Sequence, residues 1–186
     1  MKGYIYTMYE GADPGHGWIM NDPIFGEVPT LGACVPNIRR AVRIGDYIFV
    51  VSGRVSGARQ FVVGGFKVQD KIDALRAFRR FPENRLHLDD EGNLLGNVIV
   101  NGRGEHHPLD EHDNFENRIE NYIVGADPVV LQTPAQQRAG RHETIDFLSR
   151  LFDKKGERVH DVIGRHRKLD EKQVNQMLLW LKDLGQ

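Results

Sequence analysis

The pattern of apolar and polar positions predicts strands up to residue 131 and helices beyond it. Residues 47–51 (YIFVV) are an unbroken β-branched and aromatic run, which is typical of a strand that is buried on both faces. Residues 59–67 are predicted to return as its partner strand, in which Gly64 and Gly65 indicate a bulge or a close backbone approach. Further strands are expected at residues 2–9, 85–88, 94–100, 119–124 and 128–131.

Two short helices are predicted within this strand-rich part of the chain. Pro36 suits the first turn of a helix over residues 37–42, because it has no N–H to leave unpaired. That helix ends before a Gly-Asp turn. A second helix is predicted over residues 70–80, with Asp70 as its cap.

From Thr133 onward the spacing of apolar residues is helical. One helix is predicted to begin at Thr133, a second to cover residues 143–152, and a third to follow Asp170, which can cap it. We therefore predict the α+β class. A small mixed β-barrel with short helices is expected over residues 1–131, followed by a C-terminal helical extension over residues 132–186.

Charge is close to balanced over the whole chain but not along it. The formal net charge of −1 argues against a general nucleic-acid coat protein. Lys and Arg outnumber Asp and Glu over residues 38–85, whereas acidic residues dominate residues 105–120. This separation can steer a phosphate-bearing ligand to one face of the protein, and it is equally compatible with an ordinary solvated surface.

Simple patterns disfavour several classes of protein. No run of about 18 apolar residues is present, so we expect no membrane-spanning helix and no membrane partner. The first residues lack the apolar core of a signal peptide, and a single cysteine excludes an intrachain disulfide, so we expect a cytoplasmic protein. The familiar motifs of serine hydrolases, zinc proteases, P-loop proteins and dinucleotide enzymes are missing.

Arg39 and Arg40, on the first short helix, are candidates for phosphate binding. The planar guanidinium fork matches two phosphate oxygens, and the N–H groups at a helix start add a partial positive charge. Two neighbouring residues on one turn cannot both face the core, so at least one is expected at the surface. The alternative is that they form surface salt bridges with the acidic segment.

The long connection over residues 10–33 holds a second group of candidates, Asp13, His16 and Trp18. Because histidine titrates near neutral pH, His16 can act with Asp13 as a general acid or base. Trp18 offers a face on which a base can stack, a contact worth about 1–3 kcal/mol. The alternative is a loop that is pinned by a buried tryptophan and carries a solvated histidine.

Three further features are weaker candidates. Cys34 directly precedes the arginine-bearing helix, where a thiolate is stabilised, but a lone cysteine is more often a small buried apolar residue. Residues 165–168 are basic and are expected to be a linker or a phosphate contact. A polar loop carries metal-binding residue types without regular spacing, so we assign no metal site to it and treat it as solvated. Its members are His106, His107, Asp110, His112 and Asp113.

The succession of a short helix, a Gly-Asp turn, a hydrophobic strand and a glycine-bearing return strand resembles the core of the PUA-like superfamily, which includes the ASCH and EVE domains. More narrowly, CVPNIRRAVRIGDYIFVVSG with the upstream GADPGHGW resembles the second nucleotide-modification-associated domain family of bacteria and phages. The resemblance covers residues 1–131. It implies a PUA-like domain that recognises a nucleobase or nucleotide in nucleic acid, with the base flipped into a pocket, or that modifies it.

Under this interpretation each candidate residue has an expected role. The residues expected to contact a nucleic acid or nucleotide are Trp18, Arg39, Arg40 and Ser52. The pair expected to supply polar recognition or proton transfer is Asp13 and His16. The sequence indicates no particular cofactor, and it leaves a non-catalytic reader and an enzyme both open.

The alternative is a non-enzymatic interaction or regulatory protein, in a phage or defence context, that forms a homodimer through its C-terminal helices. Trp180 is the residue that suggests it, because it lies off the main apolar stripe of the last helix and indicates a second covered face.

Overall fold

The computed structural model describes residues 1–185 and has a mixed α+β fold, which confirms the predicted class. Its strands are β1 (Gly3–Thr7), β2 (Thr30–Leu31), β3 (Tyr47–Val51), β4 (Val62–Ile72), β5 (His87–Leu88), β6 (Leu94–Leu95), β7 (Tyr122–Val130) and β8 (His166–Leu169). Its α-helices are α1 (Pro36–Ala41), α2 (Ala74–Arg80), α3 (Pro134–Phe152), α4 (Val159–Ile163) and α5 (Glu171–Leu184).

Six strands form one mixed sheet in the order β2-β7-β4-β3-β1-β8, while β5 and β6 form a separate hairpin. β1 runs parallel to β3 and antiparallel to β8. The β3–β4 and β2–β7 pairs are antiparallel. Within residues 1–185 the strand order leaves β2 and β8 as edges, so the sheet is open and the closed form of the predicted small barrel is not found.

Residues 32–67 fold largely as their sequence predicts. β3 has the predicted bounds and is buried except at its first residue, and α1 begins at Pro36. The register between β3 and β4 shifts near the end of β3, which is the predicted bulge. A Cβ atom on Gly64 would lie 2.5 Å from the main-chain oxygen of Val129, so this close approach requires glycine.

Helix α2 begins later than predicted, because β4 continues to Ile72. The cap is therefore Asp73, whose carboxylate accepts the Arg76 N–H at 2.8 Å. Asp70, the predicted cap, lies in β4 and forms an ion pair with Arg80 instead. Asp70 and Asp73 are both suitable N-cap residues. Because β4 extends through Asp70, Asp73 caps α2.

β7 and α3 each replace two predicted elements. β7 runs through residues 125–127, which separate the two predicted strands, and Asp127 lies inside it at a φ of 52°. α3 is continuous over 19 residues and opens with reciprocal capping between Thr133 and Gln136. A Cβ atom on Gly140, in its interior, would lie 2.7 Å from Leu131 Cδ1, so the glycine serves close packing and not a helix end.

The last part of the chain is not purely helical. β8 (residues 166–169) overlaps the basic segment of residues 165–168 and pairs with β1. α5 follows Asp170, as predicted. Trp180 stacks on Phe147 of α3 at a centroid distance of 4.2 Å, and its indole N–H donates to Glu143. The second covered face of α5 is thus explained within one chain, and the homodimer stays a prediction.

Contacts group the chain into two compact units. Unit 1 consists of Met1–Ile19, Gly45–Lys67 and Asp127–Gln186, and unit 2 consists of Met20–Ile44 and Val68–Ala126. The domain boundary after residue 131 stays a prediction. Among residues 1–185, none of the helices has the length and apolar character that crossing a bilayer requires.

Candidate functional site

The loop after β1 is fixed by a buried ion pair in unit 1. Asp13 is 1% exposed and accepts the Gly15 N–H at 2.8 Å, which caps the short turn at Pro14–His16. Both carboxylate oxygens of Asp13 also accept from Arg141 of α3, at 2.6 and 2.8 Å. Burial alone would raise the pKa of Asp13, but the bonds from Arg141 and the Gly15 N–H hold that pKa below its usual value. Asp13 is therefore ionised at neutral pH.

His16 lies beside this ion pair, as the sequence predicts for His16 and Asp13. Its Nδ1 is 3.5 Å from Asp13 Oδ2 and 3.4 Å from a terminal guanidinium nitrogen of Arg141, and its ring is exposed. A carboxylate beside an exposed imidazole can orient the ring for proton transfer. Arg141 is not among the residues that the sequence predicts for this site, and it lies 128 residues from Asp13 in the chain. The signal that could have found it is the need of a buried carboxylate for a cationic partner.

Arg141 also forms part of the wall of a cavity of about 610 Å³ in unit 1, which we call the arginine-lined cavity. Its guanidinium lies 4.5 Å from the centroid of the Phe61 ring and donates to the main-chain oxygen of Arg59 at 2.6 Å. Polar and apolar side chains share the wall. The cationic members are Arg54, Arg59, Arg141 and Arg158, the carboxylates are Asp146 and Glu157, and the apolar members include Ile145 and Val159.

The positive charges of this cavity are unevenly compensated. Arg54 and Arg158 form exposed ion pairs with Glu10 and Asp161, each at 3.0 Å. Such exposed pairs are weak and exchange easily with a competing anion. Arg59 is exposed and, among the residues that the structure describes, has no carboxylate within ion-pair distance. An anionic ligand in the cavity would therefore meet the uncompensated charge of Arg59.

An aromatic pair, Tyr9 and Trp18, belongs to the same loop as Asp13 and His16. The Trp18 indole N–H donates to the Tyr9 hydroxyl at 2.8 Å, and the two rings meet edge to face at 5.7 Å. Tyr9 is 60% exposed. The N–H of Gly11, two residues after Tyr9, donates to the main-chain oxygen of Arg54, which ties this loop to the cavity wall. Trp18 is half-buried, so both of its predicted roles, stacking surface and loop anchor, fit its position.

The structure gives Arg39 a different place from the predicted phosphate contact. Arg39 is fully buried, whereas its neighbour Arg40 is exposed. The five N–H groups of the Arg39 guanidinium donate to main-chain oxygens, which leaves none for a phosphate. The acceptors are Ala33, Cys34, Arg118, Glu120 and Asn121. We therefore assign Arg39 to the folding of unit 2, and only Arg40 is placed for contact with a ligand.

Ser52 is also fully buried, and this changes its expected role. Its Oγ accepts the Phe61 N–H at 3.1 Å, and its main-chain oxygen accepts from the side chain of Gln60, which lines the arginine-lined cavity. The hydroxyl therefore completes the β3–β4 connection and does not face a ligand. Ser52 therefore helps to hold Gln60 in the cavity wall through its main-chain oxygen.

Cys34 is not poised as a nucleophile. The Asp22 carboxylate accepts the main-chain N–H groups of Gly32, Ala33 and Cys34. Burial, together with this carboxylate, raises the pKa of the Cys34 thiol far above its usual value, so the thiol is protonated at neutral pH. The interpretation of Cys34 as a small non-reactive residue fits this environment.

The histidine-rich loop is organised around one buried carboxylate in unit 2. Asp110 accepts from His106 Nε2 at 2.7 Å and from His112 Nδ1 at 2.6 Å, and His106 stacks on Phe115. Burial opposes ionisation of Asp110, but the bonds from His112 and His106 hold its pKa below the usual value. Within residues 1–185, no group of three or more His, Cys, Asp or Glu side chains has the arrangement to hold a metal ion.

Replacement of Asp110 by asparagine should lower the free energy of unfolding by about 1–3 kcal/mol at pH 7, because one of the two imidazole N–H groups then faces an amide NH2 group instead of an acceptor. Since the folded-state pKa of Asp110 is lowered, its contribution is complete above the ordinary aspartate pKa of about 3.9 and is lost as the pH falls through the folded-state value. The difference between Asp110→Asn and the unaltered protein should therefore shrink in acid. Urea unfolding at pH 7 and in acid measures this difference.

Asp113→Asn, at an exposed position in the same loop, is the control. An equally small effect of both substitutions at pH 7 would contradict the prediction.

Comparisons of this chain with protein-family models, with curated proteins and with solved structures find no match. The resemblance to the PUA-like superfamily therefore rests on the sequence motifs alone.

Proposed function

We propose that this chain recognises a nucleotide, free or within nucleic acid, in the arginine-lined cavity of unit 1. The observation that carries the proposal is the uncompensated Arg59 in a cavity whose other walls offer carboxylates and apolar side chains. A nucleotide has the matching chemistry, because it joins an anionic phosphate to a flat base with donor and acceptor groups. The volume of about 610 Å³ lies in the range of small-molecule sites.

Phosphate binding falls to Arg59, with Arg54 beside it in the cavity wall. A guanidinium can donate two parallel N–H groups to phosphate oxygens, and such charge-assisted bonds are stronger than neutral ones. Arg141 has a different task, since its terminal nitrogens are committed to Asp13 and to a main-chain oxygen. Arg141 therefore shapes the cavity, and Arg59 supplies the charge.

Base recognition falls to the carboxylates and the apolar part of the wall. Asp146 and Glu157 can accept hydrogen bonds from the exocyclic amino group of a base, as carboxylates do with cytosine. Ile145 and Val159 provide apolar surface for the ring. When the nucleotide belongs to a strand, the aromatic pair offers a neighbouring base a stacking surface.

The proposal includes a relationship to the PUA-like superfamily. It is supported by the residues that carry the resemblance, which form α1, the Gly-Asp turn, β3 and β4 in the expected order. In an enzymatic version of the function, His16 beside Asp13 would transfer a proton to or from the bound base. Recognition alone does not need His16, so a substitution there separates the two versions.

Replacement of Arg59 by alanine should weaken the binding of nucleoside monophosphates about tenfold or more, because a hydrogen bond to a charged group contributes about 1.5–3 kcal/mol. Isothermal titration calorimetry with the common ribonucleotides and deoxyribonucleotides measures the effect. Nucleosides without a phosphate should bind more weakly and should be indifferent to Arg59→Ala.

Arg138→Ala is the matched control, since Arg138 is exposed on α3 and is not part of the cavity wall. It removes the same charge and should leave the affinity for nucleotides unchanged. Equal affinities for nucleosides and nucleotides, or equal losses in the two variants, would contradict the proposed function.

A further inference from the structure

A second cationic cavity lies in unit 2, against helix α2. It has a volume of about 370 Å³, and its wall consists of Ile72 at the end of β4 and three arginines of α2, Arg76, Arg79 and Arg80. These arginines are three and four residues apart, so they share one face of the helix. Among the described residues, no carboxylate belongs to this wall. We call this feature the α2 cleft.

The positions of Arg79 and Arg80 favour the stability of α2, whereas the position of Arg76 does not. Arg79 and Arg80 lie in the last turn, where positive charge is favoured by the helix dipole. Arg76 lies in the first turn, where positive charge is disfavoured. Like charges three and four residues apart add a further small repulsion. An anion in the cleft would offset both costs.

The cleft combines one guanidinium that has a carboxylate partner with two that have none. Arg80 donates to Asp70 Oδ2 at 3.1 Å, and its guanidinium lies 5.1 Å from the centroid of the Phe81 ring. Arg76 and Arg79 are exposed and have no carboxylate partner among the described residues. A ligand would therefore meet one guanidinium that is held by an exchangeable ion pair and two uncompensated charges beside it.

We propose that the α2 cleft binds consecutive phosphate groups, as in the backbone of a nucleic acid or in free polyphosphate. Each guanidinium can engage the oxygens of one phosphate through its planar fork. Side chains from successive turns of a helix can each contact a different phosphate of one chain. A single phosphate cannot contact all of them at once. This site does not depend on the arginine-lined cavity, and it adds a polyanion to the ligands of the protein.

The test uses the full chain with two probes, inorganic tripolyphosphate and a single-stranded oligonucleotide. Arg76→Ala/Arg79→Ala should weaken the binding of at least one probe tenfold or more. For the oligonucleotide, it should also reduce the slope of log affinity against log salt by about one to two. Both positions are exposed, and circular dichroism with urea unfolding verifies that the variant is folded. Arg138→Ala/Arg150→Ala, on the exposed surface of α3, removes the same net charge elsewhere and is the control.

A loss with both probes, or with one of them, supports the site and identifies its source of phosphate. A loss with the oligonucleotide alone assigns the nucleic-acid backbone, and a loss with tripolyphosphate alone assigns free polyphosphate. Unchanged binding of both probes, or an equal loss in the control, overturns the proposal. Failure of the proposed function is distinguishable, because mononucleotide binding should respond to Arg59→Ala and not to Arg76→Ala/Arg79→Ala.

Discussion

Replacement of Arg39 by alanine is expected to lower the free energy of unfolding by at least about 3 kcal/mol. The substitution removes the donor of hydrogen bonds to five main-chain oxygens, and a buried polar group that loses its partner costs about 1–3 kcal/mol. These losses are not additive, because the chain around residues 118–121 can relax and admit water. The expected total is nevertheless well above the effect of a typical surface substitution.

Urea unfolding followed by circular dichroism measures this effect, and Arg40→Ala is the matched control. Arg40 is the next residue of the same helix, is exposed, and has the same charge. Its replacement should change the free energy of unfolding by less than about 0.5 kcal/mol. Equal stabilities of the two variants would contradict the structural role. A stable Arg39→Ala variant with impaired nucleotide binding would restore the role that the sequence suggested.

Replacement of Arg141 by alanine is expected to cost about 3–5 kcal/mol at pH 7, because it leaves the Asp13 carboxylate buried without its cationic partner. It should also weaken nucleotide binding, since Arg141 shapes the wall of the arginine-lined cavity. Asp13→Ala/Arg141→Ala should be less destabilised than the sum of the two single variants. The double-mutant cycle in urea measures that coupling, and strict additivity would show that the pair is not coupled.

The pH dependence of the Arg141→Ala variant gives an independent check. In the unaltered protein the pKa of Asp13 is lowered, so its stabilising effect is complete above the ordinary aspartate pKa and is lost as the pH falls through the folded-state value. Without Arg141, the burial of Asp13 favours the protonated carboxyl. The deficit of the variant should therefore be largest near neutral pH and should shrink in acid. A deficit that is constant with pH would contradict the ion pair as its cause.

The local sequence was sufficient to predict an element where interactions between nearby residues determine it. The YIFVV run specified β3, and Pro36 marked the start of α1, because composition and backbone geometry act within a few residues. The end of β4 could not be read in the same way. Asp70 and Asp73 are both good caps, and only the strand pairing of Asp70 shows that Asp73 is the one used. The close packing of Gly140 against Leu131 within α3 is likewise not visible in the local sequence.

The candidate site shows the same division. His16 and Asp13 were predicted together because they are close in the chain, and they are close in the structure. Arg141 was missed because no local pattern links it to Asp13. Arg39 was assigned to phosphate contact because of its guanidinium group and its position on a short helix. Its burial depends on main-chain oxygens near residue 120, which are distant in the sequence. Every residue has a main-chain oxygen, so the sequence does not show which ones will accept from Arg39.

The position of β1 in the sheet has a consequence for how the chain is made. β1 leaves the ribosome before both of its neighbours in the sheet, β3 and β8, and β8 comes only after α3 and α4. Synthesis at about 5–20 residues per second therefore leaves the edge of β1 without β8 for roughly 10–30 s. Throughout that interval a nascent chain presents an unpaired strand edge with which other chains can pair.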